Sequence, residues 1–174
     1  MSYRLSADPA VLWLVRVMGI DLGQRRIGLA ISDATATLAR PLKTIERGGS
    51  DEQAADALLT AIQGTNAELG SEDAIGCLVV GLPTRLDGSP SDQTARARKM
   101  VALLAMRIAV PIVLQDERLS SHEAEERLSM REKDWRKRKT MPDAASAAVI
   151  LQDYLDAAKP PTDTLRGQTG RLTD

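Results

Sequence analysis

Arg16-Val17-Met18-Gly19-Ile20-Asp21-Leu22-Gly23, followed two residues later by Arg26-Ile27-Gly28-Leu29-Ala30-Ile31-Ser32, is the stretch on which the fold turns. Residues 14–20 are a short run of aliphatic and β-branched side chains that ends in Asp21-Leu22-Gly23. An apolar run closed by such a turn signal reads as a strand. Residues 26–32 alternate Ile27, Leu29 and Ile31 against Gly28, Ala30 and Ser32, which predicts a second strand and makes the pair a hairpin. A third strand is expected over residues 38–45, at an edge, because Pro41 has no N–H to give to a ladder.

Downstream the pattern changes period. Residues 51–69 carry Ala54, Leu58, Leu59 and Ile62 at helical spacing, with Gly64 or Gly70 to close the helix. Residues 75–82 are continuously apolar, as a strand buried on both faces must be. Residues 91–108 read as a helix with Ala95, Met100, Val101 and Leu104 inward, and residues 110–115 as a further buried strand that Asp116-Glu117 ends. Ser120 or Ser121 can cap a short helix. Pro142-Asp143 opens a last one, with Ala144, Ala147, Ala148, Leu151 and Leu155 inward, stopped by Pro160-Pro161. The order predicts an α/β fold: an antiparallel meander, then parallel strands, in one mixed sheet with helices on both faces. The domain is expected over residues 15–158, after an extension of residues 1–14 and before a flexible tail of residues 159–174.

Composition narrows the function. With 43% hydrophobic residues the chain can build a core, but Phe is absent and aromatics are 2%, which argues against a base-stacking platform of aromatic rings. A net charge of -1 provides no global attraction for nucleic acid, and any such site must be a local concentration of cations. Cys77, the single cysteine, can form no internal disulfide and reads as a buried thiol. The apolar stretch before Asp21 is interrupted by Arg16 and falls short of a membrane span, so a cytoplasmic protein without a membrane partner is expected.

In open sheets of this kind the functional crevice lies beyond the carboxyl ends of the strands. Asp21 and the Asp116-Glu117 pair both fall at such ends. Phosphodiester hydrolysis by divalent metal needs several hard oxygen ligands on one small patch, and Mg²⁺ or Mn²⁺ suits carboxylates. Asp21 fits that role, and equally that of a turn-stabilising residue. Asp116 and Glu117 are neighbours, so on a strand only one can face the crevice, and the reading leans to Glu117. Asp143 follows Pro142 at a helix start, where on pattern alone a capping role outweighs a ligand role. His122, the lone histidine, has no metal-binding spacing, and no serine stands in a nucleophile elbow.

Arg131, Lys133, Arg136, Lys137, Arg138 and Lys139 face only Glu132 and Asp134, with Trp135 among them. The ordinary fate of a charge run is a solvated loop. Its place just before the Asp143 helix favours a phosphate-contacting segment that binds nucleic acid. Trp135 could stack on a base or pin the loop; the pattern leaves both open.

These residues carry a family likeness. Gly19-Ile20-Asp21-Leu22-Gly23 with Arg26-Ile27-Gly28-Leu29-Ala30-Ile31-Ser32-Asp33 resembles the opening of the YqgF family, also called RuvX. Val79-Val80-Gly81-Leu82-Pro83 with Leu86-Asp87-Gly88 resembles its central motif, and Asp116-Glu117-Arg118-Leu119-Ser120-Ser121 its Asp-Glu-Arg-Leu-Thr-Thr segment. Asp143-Ala144-Ala145-Ser146-Ala147-Ala148 with Ile150-Leu151-Gln152 resembles its final helix. Four motifs occur in order from about Arg16 to Asp156, nearly the whole chain; the one departure inside them is Ser120-Ser121 for the usual pair of threonines. The resemblance implies an RNase H-like fold related to Holliday-junction resolvases, and a nuclease role in maturing the 5′ end of 16S ribosomal RNA. It implies an acidic site drawn from Asp21, Asp116, Glu117 and Asp143, and raises Asp143 above its capping role.

Two other readings share features with this one. Gly-Ile-Asp-Leu-Gly also resembles the first phosphate loop of actin-like and sugar-kinase ATPases, but those need a second, duplicated domain that 174 residues do not hold. A non-catalytic nucleic-acid-binding regulator would use the basic stretch and dispense with the acids. RNA and branched DNA are both open as substrates, and a junction-cutting role would favour a homodimer by symmetry.

Overall fold

The computed structural model describes residues 15–83, 91–116 and 143–158. Five strands, β1 (Arg16–Leu22), β2 (Arg26–Ser32), β3 (Ala39–Glu46), β4 (Ile75–Leu82) and β5 (Ile112–Asp116), form one sheet in the order β3-β2-β1-β4-β5. β1, β2 and β3 pair antiparallel, whereas β4 runs parallel to β1 and β5 parallel to β4. This is the mixed sheet that the sequence predicts. The strand bearing Asp21 is central and the strand bearing Pro41 is at the edge.

Among the described residues three α-helices cover the sheet: α1 (Asp51–Leu69), α2 (Asp92–Ala105) and α3 (Asp143–Ala158). One face of the sheet, with Met18, Ile20, Ile27, Leu29, Ile31, Leu78, Val80 and Ile112, packs against α1 and α2. The other face, with Val17, Ala30, Cys77 and Val79, packs against Ala147, Ile150, Leu151 and Leu155 of α3. Alternation along each strand sends successive side chains to the two layers, so both must be apolar.

The helix ends follow from local chemistry. The Ser50 hydroxyl accepts a hydrogen bond from the Gln53 N–H (3.1 Å), and the Gln53 side-chain oxygen accepts one from the Ser50 N–H (3.2 Å), a reciprocal box that starts α1. Gly70, at φ +86°, ends it. Ser91 starts α2 in the same way with Thr94, whose hydroxyl also donates to the Pro83 carbonyl (2.6 Å), tying the start of α2 to the end of β4.

Two expectations need correction. Ala95 is exposed; Thr94, Ala97, Met100, Val101 and Leu104 form the buried stripe of α2, because the helix starts at Asp92 and its phase is set by Thr94 under the cap. In α3 the buried residues are Ser146, Ala147, Ile150, Leu151 and Leu155; Ala148 packs partly buried against the same cluster, while Ala144 is only partly covered. The extension, the tail, the short helix at Ser120-Ser121 and the basic stretch lie outside the described residues.

Candidate active site

Asp21 is the next-to-last residue of β1. It shares the parity of Val17 and Gly19, and therefore the face that α3 covers. Its partner across the antiparallel ladder is Gly28 of β2. A Cβ added at Gly28 would lie 1.9 Å from the carbonyl oxygen of Asp143, so the first turn of α3 rests directly on the backbone of β2 at that point. A second contact of this kind lies further along: a Cβ at Gly19 would meet the Cβ of Leu151 at 2.7 Å and the Ala147 carbonyl oxygen at 2.9 Å. Glycines inside strands thus let α3 sit close, and they set Asp143 beside the residue facing Asp21.

Gly19 pairs with Val79 and Ile20 with Val80 in the parallel ladder; Gly81 in turn pairs with Gln115. One residue on from those β1 pairs, the row at the level of Asp21 continues through Gly81 to Gln115, on the α3 face shared by Val79 and Val113. Gly81 contributes no side chain, so the sheet surface between Asp21 and β5 is low. Asp116 pairs with Leu82 and has the parity of Ile112 and Leu114, which face α1 and α2. The alternation thus places Asp116 on the opposite face from Asp21. Glu117 lies outside the described residues.

Asp143 has a partner that the sequence reading missed. The Arg26 Nε lies 3.1 Å from the Asp143 Oδ2, with the Arg26 side chain 60% exposed and that of Asp143 31%. Arg26 has the parity of Gly28 and so belongs to the same face. Its signal in the sequence was its position two residues before a strand glycine, which gains meaning only once α3 is docked there. Among the described residues no three of the histidines, cysteines, aspartates and glutamates are grouped to hold a metal ion. Asp21 and Asp143 stand at one end of the face that α3 covers, and their hard oxygens suit a divalent cation that a further acid would complete. Arg131, Lys133, Arg136, Lys137, Arg138 and Lys139 lie outside the described residues.

A hairpin and an edge strand paired antiparallel, two further strands parallel to the first, and helices on both faces make this an RNase H-like α/β fold. The chain belongs to the RuvX family, whose model, described as Holliday junction resolvase, matches residues 15–157. It is 40% identical over 146 residues to a protein of Anaeromyxobacter dehalogenans (strain 2CP-C), covering 84% of this chain and all of that one. It is 38% identical over 144 residues to one of Maridesulfovibrio salexigens, covering 83% of this chain and all of that one. Both bear the name "Putative pre-16S rRNA nuclease". Among solved structures, Thermus thermophilus RuvC in complex with a Holliday junction substrate aligns with a TM-score of 0.48 at 14% identity, over 82% of this chain and 94% of that one. No helix among the described residues is long and apolar enough to cross a membrane.

Proposed function

We propose that this chain is a divalent-metal-dependent nuclease that hydrolyses phosphodiester bonds in structured nucleic acid, acting in the cytoplasm on the 5′ end of pre-16S ribosomal RNA. The observation that carries the chemistry is the juxtaposition of Asp21 with the first turn of α3 through Gly28, at the carboxyl end of the central strand. The substrate comes from the names of relatives at 38–40% identity that this chain covers end to end.

Asp21 and Asp143 would hold the ion, Mg²⁺ or Mn²⁺, and the third acid is Glu117. One observation supports Glu117 over Asp116: Asp116 alternates onto the α1–α2 face, away from Asp21. Bound there, the ion would supply activation of water and stabilisation of the leaving oxygen. The stretch containing Arg131, Lys133, Arg136, Lys137, Arg138 and Lys139, which precedes α3 in sequence, is assigned the grip on phosphates.

A second reading, resolution of four-way DNA junctions by a homodimer, is favoured by the description of the family itself. One assay separates the two. Purified chain is given a pre-16S 5′ fragment, single-stranded RNA and DNA, and four-way junctions, each with Mg²⁺ or Mn²⁺. Cleavage of the ribosomal fragment that disappears with chelator and in Asp21→Asn is the expected result. Junction cleavage alone would establish the second reading. Full activity in Asp21→Asn would eliminate the metal site as drawn.

A further inference from the structure

Arg26 opens β2, and its guanidinium stands at Asp143 Oδ2, on the face that also carries Asp21. Its partner across the β2–β3 ladder is Glu46, an exposed residue that shares its face. A guanidinium is a donor-only cation, so a divalent cation competes with it for the same carboxylate oxygens. The pair is partly exposed, and ion pairs reached by solvent are weak enough to exchange. A divalent cation binding Asp143 seeks the same oxygen that Arg26 now engages.

We infer that Arg26 is a resident cation that engages the Asp143 carboxylate and competes with the metal ion for it. Metal uptake then opens the Arg26–Asp143 pair. The freed guanidinium remains beside the site, where its fork of donors matches a nucleic-acid phosphate. This inference rests on the metal-binding role of Asp143 proposed above. A purely structural pair, pinning β2 to α3, makes the opposite prediction, because its loss would loosen Asp143 and weaken metal binding.

The test is titration of the full chain with Mn²⁺ alone, read by calorimetry or by the electron-spin signal of the free ion. Wild type, Arg26→Gln, Arg26→Lys and Asp21→Asn are compared, with thermal melts to confirm that each variant is folded. Arg26→Gln should bind Mn²⁺ about threefold or more tighter, as expected when a nearby positive charge and its competing pair are removed. Arg26→Lys, which keeps the charge, should stay nearer to wild type than Arg26→Gln does. Unchanged or weaker binding in folded Arg26→Gln overturns the inference while leaving the metal site standing. A wild type that takes up no Mn²⁺, or an Asp21→Asn that binds it equally well, removes the metal site and this role of Arg26 with it.

Discussion

A methyl group at residue 28 would fall 1.9 Å from a backbone oxygen of α3, and a rotamer change cannot relieve a contact with the main chain. Gly28→Ala should therefore lift the first turn of α3 off the sheet, at a cost of about 3 kcal/mol or more, the scale of severe overpacking. Nuclease activity should fall with it, because Asp143 moves away from Asp21. Gly64, in the exposed middle of α1, has nothing within 4 Å of an added Cβ. Gly64→Ala should instead stabilise the chain by about 0.5–1 kcal/mol through helix propensity. Urea denaturation of the two variants gives opposite signs if α3 is seated as described. Equal and small effects would show that the seat at Gly28 is loose.

Among the described residues α3 is the single helix on its face of the sheet, so its placement depends on few ties. Its side chains fill the layer over Val17, Ala30, Cys77 and Val79, and Gln152 clips it to the loop before β3. The Gln152 side-chain oxygen accepts from the Ala39 N–H (2.8 Å), and its amide donates to the Thr37 carbonyl (3.1 Å) and to Asp156 (3.1 Å). That loop is itself wound around Asp33, whose carboxylate accepts from the Thr37 and Leu38 N–H groups. These bonds hold its pKa below the ordinary carboxylate value. Gln152→Ala leaves the part-buried Ala39 N–H without its partner, and should cost about 1–2 kcal/mol. The amide of Ala39 should exchange with solvent faster, while the amides of β1 and β4 in the sheet centre keep their protection. Uniform acceleration across the sheet would mean that the clip supports the whole fold and not α3 alone.

At the scale of the molecule, the buried Cys77 thiol and the partly buried Tyr154 phenol tie stability to alkaline pH. Burial pushes the Cys77 thiol up to about 11, against a hydrogen bond from Tyr154 that acts in the other direction. Burial likewise raises the Tyr154 phenol to about 12, with Cys77 adding to the shift. Both groups are held protonated by the fold. The stability this contributes is whole below the ordinary thiol value of 9.0 and is lost as pH rises through about 11 for the thiol. Stability should be level in this respect up to pH 9, then fall by about 1–3 kcal/mol by pH 11. Cys77→Ala, measured by urea midpoints over the same range, should show a shallower fall. An identical slope would assign the alkaline loss to other groups. Below pH 9 the thiol should be inert to alkylation in the folded chain.

The amino-acid sequence by itself determined the elements and the opening hairpin. Period-two alternation in β2, the continuous apolar run of β4 and Pro41 are short-range signals. Each acts within a turn or a strand, so each could be read without knowing what lies opposite. The candidate acid Asp21 was legible for the same reason, since a carboxylate ending an apolar strand is a local event. The nearness of Asp143 to Asp21 was not local: 122 residues separate them in sequence, and the pattern at Asp143 alone spoke for a helix cap. Tertiary packing decided it, through two strand glycines whose missing side chains let α3 approach. The same packing revealed Arg26 as the partner of Asp143 and set the buried stripe of α2 on Ala97 in place of Ala95. It also separated Asp116 from the face of Asp21. Which face a side chain meets depends on the register of a whole sheet, a long-range quantity that no window of sequence contains.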